Sequence, residues 1–127
     1  MVAAVTRSSD VRTSETPNAV MTTLASPSLG GTEDLSLWRV CAQAGAVGPV
    51  HAFDSEQIWT LMTGEASFIV DGETIALDAG DTIHLAAHAT RQMTIAVDAE
   101  FIVSGRGSAK ATTPGSDTDG ITPPWIR

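Results

Sequence analysis

The sequence predicts an all-β domain folded as a barrel or a two-sheet sandwich. Three observations lead there. Short runs rich in Val, Ile, Thr, Trp and Phe recur between residues 35 and 104, separated by Gly-containing turns. Several runs alternate apolar and polar residues, the period-two pattern of a strand with one buried face. No ten-residue stretch carries a helical repeat of apolar positions.

Taken in order, residues 1–17 are rich in Ser, Thr, Arg and acidic side chains without periodicity, and predict a mostly disordered arm. Asn18 to Leu24 predicts a first strand, closed by the turn Pro27-Ser28-Leu29-Gly30-Gly31. Leu35 to Cys41 alternates and predicts a second, broken by Ala44-Gly45-Ala46-Val47-Gly48-Pro49. Gln57 to Met62 is followed by Thr63-Gly64, read as a turn. Ala66 to Val70 and Glu73 to Leu77 flank Asp71-Gly72, the strongest short hairpin signal. After the turn Asp78-Ala79-Gly80-Asp81 come Thr82 to Ala86, Gln92 to Val97 and Glu100 to Ser104, read as three further strands. From residue 106 the composition shifts to Ser, Thr, Pro, Gly and Asp and predicts a tail. A tryptophan in such a tail, Trp125, is expected to pack on the barrel or on a neighbour's.

A chain of 127 residues is the size of one domain, and 43% hydrophobic residues suit a globular one. The net charge of -8 repels phosphate backbones and anionic bilayers, so nucleic acid and membrane are poor candidate partners. The single lysine, Lys110, lies in the tail, which argues against Schiff-base chemistry. Cys41 is the one cysteine, so neither an internal disulfide nor a four-thiolate zinc site is available, and its strand context suggests a small buried thiol. Residues 1–18 hold no apolar run long enough for a leader or a span, which makes a cytoplasmic location the expectation.

The run Gly48-Pro49-Val50-His51-Ala52-Phe53, continuing to Gln57 and Gly64, resembles the first cupin motif, in which two histidines one residue apart precede a glutamate and a glycine. The run from Gly80-Asp81 through Ala86-Ala87-His88 to Arg91 is similar to the second motif. There a Gly-Asp turn leads through a strand to a Pro-x-Gly turn and a third histidine. The resemblance covers roughly residues 35–105 with the spacing kept. It implies one domain, a double-stranded β-helix or jelly-roll barrel over residues 18–105, with 1–17 as a flexible arm and 106–127 as a tail against the barrel or a dimer partner. It also implies a homodimer that covers its edge strands, with the 18–24 strand and the tail as candidates to cross.

In the cupin family three histidines and the glutamate point into the barrel and bind one divalent metal. Position by position, His51 matches the first histidine, while Phe53, Gln57 and Arg91 stand where the second histidine, the glutamate and the third histidine belong. Phe53 offers no donor atom and an arginine repels a cation. His51 with Gln57 is too small a donor set for tight binding, so no metal cofactor is expected. His84 lies between inward Ile83 and Leu85 and is expected to face outward, whereas His88 falls in the turn at the mouth.

The period of two places His51, Phe53, Gln57, Trp59 and Leu61 inward on one strand system, and Arg91, Met93, Ile95 and Val97 inward on another. The expected cavity is apolar and aromatic, with an imidazole, an amide and a guanidinium converging, the usual make-up of a small-molecule site. A barrel simply filled by its own side chains is the alternative. His51 is the acid/base candidate, with Arg91 and Gln57 to stabilise negative charge. Phe53, Trp59, Leu61, Met93 and the loop carboxylate Glu56 are candidate substrate contacts. Arg91 needs a partner, either Asp54, Glu56 or an anionic or enolisable ligand. Metal-independent isomerase, cyclase or lyase chemistry, a non-catalytic binding or sensory module, and a metal-dependent dioxygenase are the three functions weighed.

Overall fold

The computed structural model describes residues 3–116 and 119–127. Among these residues nine strands form: β1 (Arg12–Glu15), β2 (Val20–Ala25), β3 (Leu35–Ala42), β4 (Ala52–Phe53), β5 (Gln57–Val70), β6 (Glu73–Asp78), β7 (Thr82–Leu85), β8 (Arg91–Arg106) and β9 (Ala111–Thr112). All named pairings are antiparallel, in the order β1-β2-β3-β8-β5-β6, with β7 added to β5 and β4 paired separately with β9. No helix among the described residues is long and apolar enough to cross a membrane.

Two long strands organise this architecture. β5 and β8 pair from Gln57↔Gly105 to Val70↔Arg91. One half of β5 also carries β7 (Gln57↔Leu85) and the other carries β6 (Glu65↔Asp78). The two halves thus contribute to different parts of the wall. Asp71 (φ 47) and Gly72 (φ 85) close the β5–β6 hairpin as expected, both central residues left-handed as a two-residue turn requires.

Four expectations need correction. Thr63-Gly64 is not a turn: β5 runs through it as a bulge, with register shifts between Leu61 and Ala66. Gly64 takes φ +91, where a Cβ would run into the Asp98 carbonyl of β8. The segments read as two strands, 92–97 and 100–104, are one: β8 continues through residues 97–99, where Val97 pairs with Glu65 of β5 and Ala99 with Ala42 of β3. Residues 12–15, placed in a flexible arm, form β1 by pairing with β2 from Arg12↔Thr23 to Glu15↔Val20. β2 therefore lies between β1 and β3 of its own chain. Cys41, expected buried, is exposed on the outer face of β3.

The core fills the space between the walls. Trp38, Leu61, Phe68, Leu85, Phe101 and Val103 are almost wholly inaccessible. Trp59, Phe68 and Phe101 meet edge-on, with ring centroids 5.2–5.9 Å apart. The tail folds back on its own barrel. Ile126 is completely buried, and Thr23 Oγ1 donates to the Trp125 carbonyl over 2.6 Å. The Arg127 main-chain oxygen accepts from Arg12 Nη2 at 2.7 Å and Ser26 Oγ at 2.8 Å, so the tail ties β1 and β2 together.

Candidate functional site

A cavity of about 480 Å³ opens inside the barrel. Strands β2, β3, β5 and β8 supply Met21, Trp38, Trp59, Phe68 and Met93 to its wall, and the tail adds Pro123, Pro124 and Trp125. His51, Gln57 and Arg91 all reach it, as does Phe53. The three polar groups picked out by strand parity therefore converge.

Local pairing explains the convergence. Residues 45–51 run antiparallel along the first half of β8, with Gly48 N–H donating to the Met93 carbonyl at 2.8 Å. His51 is thereby bridged to Arg91, while Gln57 enters from the start of β5. Arg91 and Gln57 are each 1% exposed. Arg91 Nε donates to the Ala89 carbonyl and Nη1 to Gln57 Oε1, both at 3.2 Å. The guanidinium carbon lies 5.2 Å from the centroid of the Phe53 ring, a cation–π contact. Gln57 Oε1 accepts a second hydrogen bond from Trp59 Nε1 at 3.2 Å, so two donors orient the amide.

Arg91 Nη2, Gln57 Nε2 and Trp38 Nε1 are left buried without a hydrogen-bond partner. Buried polar groups are nearly always paired, and an unpaired cationic one is the costliest case. Neither carboxylate expected to neutralise Arg91 does so. Asp54 Oδ1 accepts the Lys110 main-chain N–H at 2.9 Å, and Glu56 pairs with His84 at 2.7 Å on the exterior. Burial pushes the Arg91 pKa down to about 10, with Asp71 opposing. The His51 pKa is lowered by burial first and by Arg91 in addition, against the upward pull of its bond to Pro49. That bond runs from His51 Nδ1 to the Pro49 carbonyl over 2.9 Å. A carbonyl only accepts, so Nδ1 carries the hydrogen and Nε2 keeps its lone pair in the neutral ring.

Two predicted contacts fall elsewhere. Leu61 is fully buried but belongs to the core behind the cavity, and Glu56 faces away with His84. Val97, expected inward, is 48% exposed because it lies opposite the bulge. His88 is exposed and takes φ 67, the left-handed conformation at the position matching the family's glycine. Sequence reasoning missed Met21, Trp38 and Phe68 as wall residues. Trp38 was signalled by the alternation in β3, whereas Phe68 was concealed by the bulge, which moves the inward set of β5 from odd to even numbers.

Solved structures with a similar fold are known. One is an RmlC-like cupin from Shewanella frigidimarina, 20% identical, with a TM-score of 0.69 over 84% of this chain and 94% of that one. The fold is a cupin fold. KdgF from Halomonas sp. is 21% identical with a TM-score of 0.68, covering 81% of this chain and 92% of that one. Salicylate 1,2-dioxygenase from Pseudoaminobacter salicylatoxidans is 14% identical with a TM-score of 0.69, covering 80% of this chain but only 30% of the larger enzyme. No protein-family model matches the chain, and no curated protein matches it in sequence.

The cupin fold raises the matter of a barrel-centre metal, and the donor set here does not fit one. No three His, Cys, Asp or Glu side chains come together among the described residues. His51 Nε2 and the Gln57 amide are the nearest to a ligand pair, and Gln57 Oε1 is already engaged by two donors. Arg91 places a guanidinium within 3.2 Å of that same oxygen, where a divalent ion would be repelled.

Proposed function

We propose that the barrel binds a small organic molecule and, without a metal, moves a proton on it by acid/base chemistry of the isomerase, cyclase or lyase type. The observation that carries this reading is the buried Arg91 guanidinium, which keeps Nη2 unpaired beside an unpaired Gln57 amide nitrogen. His51 supplies the base: its neutral ring presents Nε2 while Nδ1 is held by Pro49. In the step proposed, Nε2 takes a proton from carbon next to a substrate carbonyl. The bonding pair becomes an enolate whose oxygen is stabilised by the donors of Arg91 and Gln57, and the imidazolium returns the proton to a different atom. Phe53, Trp59 and Met93 line the body of the substrate.

The test follows solvent deuterium entering the enolisable positions of 2-tetralone by NMR. Wild-type protein is expected to accelerate exchange over buffer, and His51→Ala to lose the acceleration. Equal exchange with both proteins contradicts the catalytic reading and leaves passive binding. Stoichiometric transition metal in purified protein contradicts the metal-free one. A homodimer and a cytoplasmic location are part of the same proposal, and a monomer mass by light scattering contradicts the former.

A further inference from the structure

The charges and walls of the cavity define the class of molecule it takes, an inference that rests on the barrel interior being the binding site proposed above. Among the described residues its lining includes one formal cation, Arg91, and no Asp, Glu or Lys. This is notable in a chain of net charge -8, where carboxylates outnumber basic groups at the surface. Three partnerless buried groups, Arg91 Nη2, Gln57 Nε2 and Trp38 Nε1, belong to lining residues, and all three are donors. Unmatched donors without a matching acceptor call for an oxygen-bearing anion. Phe53 already covers the guanidinium in the cation–π contact, which leaves the Nη2 edge for an in-plane acceptor. One buried cation balances one negative charge; a second would stay uncompensated in an apolar surround. Much of the remaining wall is flat or polarisable, with Trp59, Phe68 and Trp125 beside Met21 and Met93, while Thr16, Asn18, Thr112 and Thr113 add a polar minority. Such surfaces favour an aromatic ring over a hydroxylated sugar. A volume of about 480 Å³ sits within the range of small-molecule sites.

We infer that the cavity is built for one negatively charged oxygen on an aromatic body of about two rings, the enolate formed in the step above or a phenolate or carboxylate that takes its place, held by Arg91, Gln57 and Trp38.

The experiment measures dissociation constants of the full chain by quenching of tryptophan fluorescence, since Trp38, Trp59 and Trp125 all line the cavity. The probes are 2-naphthoate, neutral 2-naphthamide and dianionic 2-naphthyl phosphate. The acid is expected to bind roughly 10- to 100-fold more tightly than the amide, the usual range for a charged hydrogen bond. It is also expected to bind more tightly than the phosphate. Arg91→Gln should erase the preference for acid over amide while the amide still binds. Because Arg91→Gln could perturb folding, wild-type protein at pH 8 and pH 11 provides a second readout, with affinity for the acid lost at the higher value. Equal binding of acid and amide, or tighter binding of the phosphate, overturns the monoanion inference and leaves the barrel site standing. No binding of any of the three probes overturns both.

Discussion

His51 and Arg91 are direct main-chain partners. His51 N–H donates to the Arg91 carbonyl over 3.1 Å, and Arg91 N–H returns a bond to the His51 carbonyl over 2.8 Å. Residues so paired send their side chains to the same face about 5 Å apart. The pairing sets a partly buried imidazole beside the Arg91 guanidinium. Burial first, and the Arg91 charge in addition, lower the imidazole pKa and favour the neutral ring that can act as a base.

The first prediction concerns that ring. The His51 imidazole should titrate below its ordinary value of 6.5, because burial and Arg91 both disfavour the cation. The folded state then binds fewer protons than the unfolded state between the lowered value and 6.5. Stability should therefore be full above 6.5 and fall as pH drops through that window. NMR titration of the ring checks this, and a midpoint at or above 6.5 contradicts it. His51→Phe should flatten the pH dependence of the unfolding midpoint over the same interval.

A second prediction concerns Asp71. Its main-chain N–H and Oδ1 both bond Thr90, each at 2.9 Å, so the hairpin tip is tied to the residue before Arg91. Asp71 is also the charge that partly opposes the depression of the Arg91 pKa to about 10. Asn at this position keeps an accepting oxygen and tolerates the positive φ, yet removes the charge. In wild-type protein, affinity for 2-naphthoate should decline as pH rises through about 10. In Asp71→Asn the decline should begin at lower pH, with affinity at pH 7 little changed. Superimposable pH profiles contradict the assignment.

Gly64 carries the third prediction. A left-handed φ of +91 and the Asp98 carbonyl in the space of a Cβ leave no room for alanine. Gly64→Ala should destabilise by about 2–5 kcal/mol, combining backbone strain with overpacking. Chemical denaturation measures it, and a loss under about 1 kcal/mol contradicts the role given to the bulge.

That bulge also marks the limit of what the sequence disclosed. The all-β class, the Asp71-Gly72 hairpin and the inward set His51, Phe53, Gln57 and Trp59 follow from period-two patterning and turn chemistry, both local properties. Gly64 reads locally as a turn; only its closeness to Asp98, over thirty positions away, makes it a bulge. The resulting one-residue offset in β5 turned Phe68 inward, which a constant period cannot foresee, and left Val97 of β8 exposed opposite the bulge although Ile95 and Ala99 stay buried on either side. β1 escaped because Arg12-Thr13-Ser14-Glu15 has no apolar alternation and is held by main-chain bonds to β2. One side of the cavity wall comes from the tail, whose return to its own barrel depends on long-range bonds such as Thr23 to Trp125.

The central claim is that Arg91 sits in the interior for a ligand, at a cost to stability. Replacing even a buried ion pair by apolar side chains of similar volume is often neutral or stabilising, by up to about 4 kcal/mol, and Arg91 lacks the carboxylate that would make it a pair. The decisive measurement is the unfolding free energy and the 2-naphthoate affinity of Arg91→Met, determined on one preparation beside wild type. Higher stability together with a loss of affinity of roughly tenfold or more is the predicted result. Lower stability with unchanged affinity contradicts the account, since Arg91 would then be a structural residue of the barrel.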